Sequence, residues 1–113
     1  MGFNNTQVVQ IDPIRSLAFG SIAATYNKVG GVLDQPVRLI TFVNDTDAGV
    51  FFSDDGVTDK FYLPAGTFKL LDICTNRFHK DVYWVVQAGT QWWVRYASAP
   101  SKNSVYIECL WGQ

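Results

Sequence analysis

A chain of 113 residues falls in the single-domain range and is long enough to bury roughly two-thirds of its unfolded surface around one core. Nine Lys and Arg against ten Asp and Glu leave a formal net charge of −1, which gives no electrostatic footprint for nucleic acid or for an anionic membrane surface. With 48 % hydrophobic but only 17 % charged residues, the chain is apolar for a domain that must be soluble alone, which points to surfaces covered by partners.

The opening MGFNNTQVVQIDPIRS has neither a basic start followed by an apolar stretch nor a small-residue cleavage site, so synthesis in a cytoplasm is expected. No run approaches the roughly 20 apolar residues that span a bilayer. Residues 1–14, rich in Asn and Gln up to Pro13, lack a period and are expected to form an extended N-terminal arm, with residues 15–113 as one domain. RSLAFGSIAATYN, interrupted by Gly20 and alanines, reads as a bent or bulged strand. KVGGVLDQP is a loop, and PVRLITFV a dense β-branched and aromatic strand.

Beyond Val43 the apolar runs VFF, FYL and FKLLDIC are divided by SDDGVTD and LPAGT. Asp-Gly and Pro-Ala-Gly are turn chemistry, so hairpins are expected. Residues 76–81 form a polar connector, and VYWVVQAGTQWWVRYASAPSKNSVYIECLWG gives three further strands. FYLPAGTFKLL and VVQAGTQWWV echo one another as strand, Ala-Gly-Thr turn and strand. The expected fold is all-β, a β-sandwich or jelly-roll-like barrel of about seven to eight strands.

Alternation along strands separates their faces. In QWWVRY, Trp92, Val94 and Tyr96 share one face, leaving Trp93 and Arg95 on the wetter one. In the last strand Val105, Ile107, Cys109 and Trp111 line the core side, so Tyr106 and Leu110 become exposure candidates. Arg38 is taken to mark the outer face of PVRLITFV, which carries Ile40 and Phe42 with it. Two readings follow. Loops or the arm cover these groups, or Ile40, Phe42, Trp93, Arg95, Tyr106 and Leu110 contribute to a protein–protein interface, for which Trp, Tyr and Arg are the usual anchors.

Catalytic chemistry is not evident. The single His79 lies in the connector TNRFHKD as a solvated loop residue, and no phosphate loop, dinucleotide fingerprint or nucleophile elbow is present. Cys74, Cys109 and His79 cannot assemble a zinc site, and reduced buried thiols are expected rather than a disulfide. Asp45, Asp47, Asp54, Asp55 and Asp59 are weak candidates for calcium. Their spacing departs from the EF-hand, and Asp is also the ordinary turn residue. Trp84, Trp92, Trp93 and Trp111 raise a carbohydrate-binding host-attachment module as a rival class, but parity leaves Trp93 as the sole open platform. No enzyme activity and no cofactor are expected.

The segments FVNDTDAGVFFSDDGVTDKFYLPAGTFKLLDICTN and QAGTQWWVRYASAPSKNSVYIECLWG resemble small structural proteins of tailed-bacteriophage virions. The likeness is carried by an Asn-Asp-Thr-Asp turn, a Ser-Asp-Asp-Gly hairpin, a Pro-Ala-Gly-Thr turn and a Ser-Ala-Pro-Ser connector, over roughly residues 35–113. The resemblance implies a role rather than a site: a β-domain of the neck or collar in the head-to-tail region, with capsid decoration as the alternative. Implied partners are further copies of itself and portal, connector or capsid proteins. The implied location is the virion.

Overall fold

The computed structural model describes residues 9–72 and 86–112. The arm's first eight residues, the connector at 76–81 with His79, and Cys74, Trp84 and most of VYWVVQ lie outside the described residues. What is described is a two-layer β-sandwich of antiparallel strands. Its strands are β1 (Val9–Ile11), β2 (Arg15–Ala18), β3 (Asn27–Lys28), β4 (Leu39–Asn44), β5 (Val50–Ser53), β6 (Phe61–Leu63), β7 (Thr67–Asp72), β8 (Trp93–Tyr96) and β9 (Ser104–Gly112). They exceed the expected number because RSLAFGSIAATYN yields two short strands, split by a 3-10 turn at Phe19–Ser21, and β1 comes from the arm.

One sheet runs β1-β9-β4-β7, with β2 also paired to β9, and the other runs β3-β8-β5-β6. The long β9 gives one edge to β4 and shares the other between β1 and β2. In β4, Ile40, Phe42 and Asn44 point inward and Leu39, Thr41 and Val43 outward. Phe42 is the hub between the layers. Its ring lies 5.2 Å from Phe52, 4.8 Å from Phe61 and 4.8 Å from Trp92, and the last two meet it edge-on, the arrangement favoured by the aromatic quadrupole.

Two expectations are corrected here. Ile40 and Phe42 are wholly buried core residues rather than surface groups. Val37 and Ile40 are both buried although three residues apart, so the alternation slips by one between them. Arg38 sits in that slip, outside β4, and its polarity says nothing about the faces beyond it. Secondly, LPAGT does not close a hairpin. β6 pairs with β5 and β7 with β4, so the turn carries the chain from one sheet to the other, helped by Gly66 at φ 71° and by the Thr67 hydroxyl donating to the Pro64 carbonyl at 2.6 Å.

Asn44 fastens the two layers. Its buried amide donates to the carbonyls of Ala48 (2.8 Å), Leu63 (2.9 Å) and Pro64 (3.2 Å). Its Oδ1 accepts from the Thr46 backbone N–H (3.0 Å) and hydroxyl (2.6 Å). One side chain therefore pins two of the crossings between the sheets, β4 to β5 and β6 to β7.

Candidate interaction surfaces

Cross-strand register assigns the outer face of the five-stranded sheet residue by residue. One row runs Phe68–Val43–Tyr106–Ser16, the next Leu70–Thr41–Glu108, and the third Asp72–Leu39–Leu110–Ile11. Ile11 is 78 % exposed, Phe68 68 % and Leu70 50 %, while Leu39, Val43, Tyr106 and Leu110 are half-buried beside them. The face is apolar over most of both end rows, with Asp72 at one edge of the third row and Thr41 and Glu108 across its middle. Lys69 is on the opposite side of β7, 5.6 Å from the Phe61 ring centroid. Water-facing apolar groups gathered on one sheet face mark an interaction surface more often than the same groups scattered singly.

The outer face of the four-stranded sheet has a different chemistry. Tyr62, Phe51 and Arg95 stand opposite one another across β6, β5 and β8, and Tyr26 continues the row beside β3. The Arg95 guanidinium lies 4.5 Å from the Phe51 centroid and 5.8 Å from that of Tyr26, both within cation–π range. It also donates twice to Asp59, at 2.9 and 2.6 Å, and the Tyr26 hydroxyl donates to the same carboxylate. Arg95 and Tyr26 hold Asp59 below the usual carboxylate range, and burial, followed by Asp59, pushes the Tyr26 phenol up to about 12. Tyr62 rests its hydroxyl where a side chain on Gly49 would stand, and is 48 % exposed.

The structure thus divides the six candidates three ways. Ile40 and Phe42 are core, Trp93 and Arg95 belong to the four-stranded sheet's outer face, and Tyr106 and Leu110 to that of the five-stranded sheet. No single surface holds them all. Phe68, Leu70, Ile11, Leu39 and Val43 complete the larger face. The alternation of TFKLLD could have indicated Phe68 and Leu70, but Leu71 is apolar on the other parity, so neither side declares itself the core.

Trp93 is no open platform. Gly56, at φ 75°, packs against its indole closely enough that a Cβ there would come within 3.0 Å, and the Lys28 ammonium lies 5.6 Å from the ring centroid. The acidic residues also separate in space, and among the described residues no three potential metal ligands of the His, Cys, Asp or Glu type gather. Asp55 accepts from the Ser53 hydroxyl (2.7 Å) and the Val57 and Thr58 amides (2.8 Å each), which holds it well below the usual range. Asp54 meets Lys60 at 3.1 Å. Asp47 accepts from the Ser101 amide at 2.7 Å and from its hydroxyl, clasping the Ser-Ala-Pro-Ser connector to the Asn-Asp-Thr-Asp turn. Asp45 enters that turn through its backbone, donating to Ser104 and accepting from the Asn103 side chain. Cys109 is a free, buried thiol, raised to about 11 by burial.

Comparison with protein-family models, with curated proteins and with solved structures finds no match to this chain.

Proposed function

We propose that this chain is a non-enzymatic structural subunit that docks the outer face of its five-stranded sheet onto other protein subunits, and that its setting is the neck or collar of a tailed-bacteriophage virion. The observation that carries the reading is the apolar outer face itself, with Phe68, Leu70 and Ile11 projecting from a rigid sheet. Such a face is costly to leave in water and serves when a partner covers it. The motifs behind the virion resemblance fit a scaffold: the Asn-Asp-Thr-Asp turn supplies the Asn44 lock, Pro-Ala-Gly-Thr the crossing between sheets, and Ser-Ala-Pro-Ser the Ser101 clasp. Each does a structural task in the fold, and none brings a nucleophile and a base together.

The test is co-sedimentation of the purified chain with portal, connector and capsid proteins, compared with Phe68→Asp/Leu70→Asp. Binding to portal or connector that disappears in the variant is the expected result. Binding to capsid shell alone would move the protein to head decoration. Binding to none of them, or binding unchanged in a folded variant, would overturn the proposal.

A further inference from the structure

We infer that β1 is an exchangeable arm: it leaves its own β9 and takes the same place on β9 of a second copy, so that two copies are tied together by swapped strands. The inference uses an edge of the five-stranded sheet and neither outer face, and it is independent of the docking role proposed above. β1 is lightly held. It pairs with β9 only at residues 110–112, where β4 reaches no farther than Leu110. Of its described side chains Gln10 is half-buried and Ile11 is 78 % exposed. Beyond that short ladder its fastening is the next residue, Asp12. The Asp12 amide donates to the Cys109 carbonyl at 3.0 Å, and its carboxylate accepts from Arg15 at 3.0 Å and from the Trp111 indole at 3.2 Å. A segment that buries so little apolar surface opens without unfolding the rest of the domain.

β2, by contrast, is anchored. Residues 15–18 pair with β9, Leu17 packs against the core, and Arg15 donates to the Gly31 and Val32 carbonyls. Between the anchored strand and the light one lies a hinge, residues 12–14, which in the closed chain fits three residues beside residues 108–109. Pro13, with its fixed φ, sits in that hinge, and both Pro13 and Ile14 are exposed. Closing onto its own β9 requires the bulge, whereas spanning from one copy to the next releases it, and a short constrained hinge favours exchange. Every other contact is kept. β1 finds the same register on the second β9, and Asp12 meets Arg15 and Trp111 of the second copy in place of its own. The segment shown to fit this edge is residues 9–12 of this sequence, and a second copy carries it, so exchange needs no new complementary surface.

The experiment mixes two full-length chains, Ile11→Cys and Leu110→Cys, each in a Cys74→Ser background and one of them isotope-labelled. Ile11 and Leu110 stand opposite one another across the ladder, within the reach of a disulfide. With one new cysteine on each chain, that bond forms only between copies; Cys109 is buried. A chain's own arm competes at an effective concentration in the millimolar range, so the mixture is held at about 1 mM before oxidation. The expected product is a labelled–unlabelled dimer of about twice 12.7 kDa. It should exceed either chain linked to itself by at least about tenfold. A chain carrying both cysteines, oxidised when dilute, should close on itself as a monomer. Asp12→Asn should hasten formation of the mixed dimer and leave its final yield unchanged, because Asp12 makes the same bonds in either arrangement. A mixed dimer at no more than the statistical ratio, while the doubly substituted chain still closes on itself, would overturn the inference and leave docking through the sheet face untouched. Hydrogen exchange of the wild-type Asp12 amide as slow as that of the β4 amides would also overturn it, since an arm that stays shut cannot be exchanged.

Discussion

Replacing Asn44 by leucine should remove a large share of the fold's stability without changing a surface group. Asn44 is wholly buried, its two amide hydrogens serve three carbonyls, and its Oδ1 accepts two further bonds. Leucine matches the shape and makes none of them. Ala48 keeps the Thr46 hydroxyl as a donor at 2.9 Å and Pro64 keeps the Thr67 hydroxyl at 2.6 Å, whereas the Thr46 backbone N–H and the Leu63 carbonyl lose their Asn44 partners. At about 1 kcal/mol per net bond, and about 1–3 kcal/mol for each buried group stranded, the loss is about 4 kcal/mol, out of the roughly 5–15 kcal/mol that holds a domain together. For a chain of this length that lowers the melting temperature by about 15 °C. Urea unfolding followed by tryptophan fluorescence measures it, and an unchanged slope would show that the denatured state is not what moved. Asn44→Asp separates donor from acceptor: it keeps an oxygen for Thr46 but turns a second, charged oxygen toward three carbonyls. It should therefore cost at least as much at neutral pH. A loss below about 1 kcal/mol for Asn44→Leu would refute the reasoning, because a lock with that many partners cannot be that cheap to remove.

Two further outcomes follow from the electrostatics. Asp47, Asp55 and Asp59 all titrate below the usual carboxylate range, through Ser101, through Ser53 with the amides of residues 57 and 58, and through Arg95 with Tyr26 respectively. A folded-state value below the unfolded one gives stability that is present above about pH 4 and is lost as pH falls toward the folded value. The urea midpoint should drop between pH 5 and 3, less so in Asp55→Asn, and a flat midpoint across that range would contradict the assignment. In a Cys74→Ser background, Cys109, raised to about 11, should react with a disulfide reagent at pH 8 more than about 100-fold slower than in unfolding urea, because little thiolate forms. Labelling of the native protein at the unfolded rate would place the thiol at the surface.

The all-β character was legible because short apolar runs alternate and are divided by Asp-Gly and Ala-Gly-Thr, whose left-handed glycines the fold uses at Gly56, Gly66 and Gly89. What local pattern does not carry is phase across an irregularity and the sheet to which a strand belongs. The slip between Val37 and Ile40 reversed the faces read from Arg38, since one residue moves every side chain to the other side. LPAGT has the same chemistry whether it closes a hairpin or crosses between layers, because the choice is made by the partners of β6 and β7, far away in sequence. Asn44 drew notice only as part of a turn motif. Its burial depends on three carbonyls that only the folded chain brings together.

One edge of the five-stranded sheet, formed by β1 and β2, is irregular. An open edge invites pairing with any extended chain. Beside β9 that edge is broken: Ile11 stands opposite Leu110 and Arg15 opposite Ile107, so residues 12–14 occupy the space of residues 108–109. The extra residue falls at Pro13, which has no N–H to offer an incoming strand. Arg15 anchors the break, donating to Asp12 at 3.0 Å and to the Gly31 and Val32 carbonyls at 3.2 Å each, while the Trp111 indole holds the other Asp12 oxygen at 3.2 Å. The bulge shifts the phase, so that Ile11 faces outward with Leu110 while Arg15 and Leu17 turn toward the core side with Ile107 and Val105. The device that blunts the edge against unspecific pairing is therefore the one that places Ile11 on the outer face, at the end of the row that runs from Asp72 through Leu39 and Leu110.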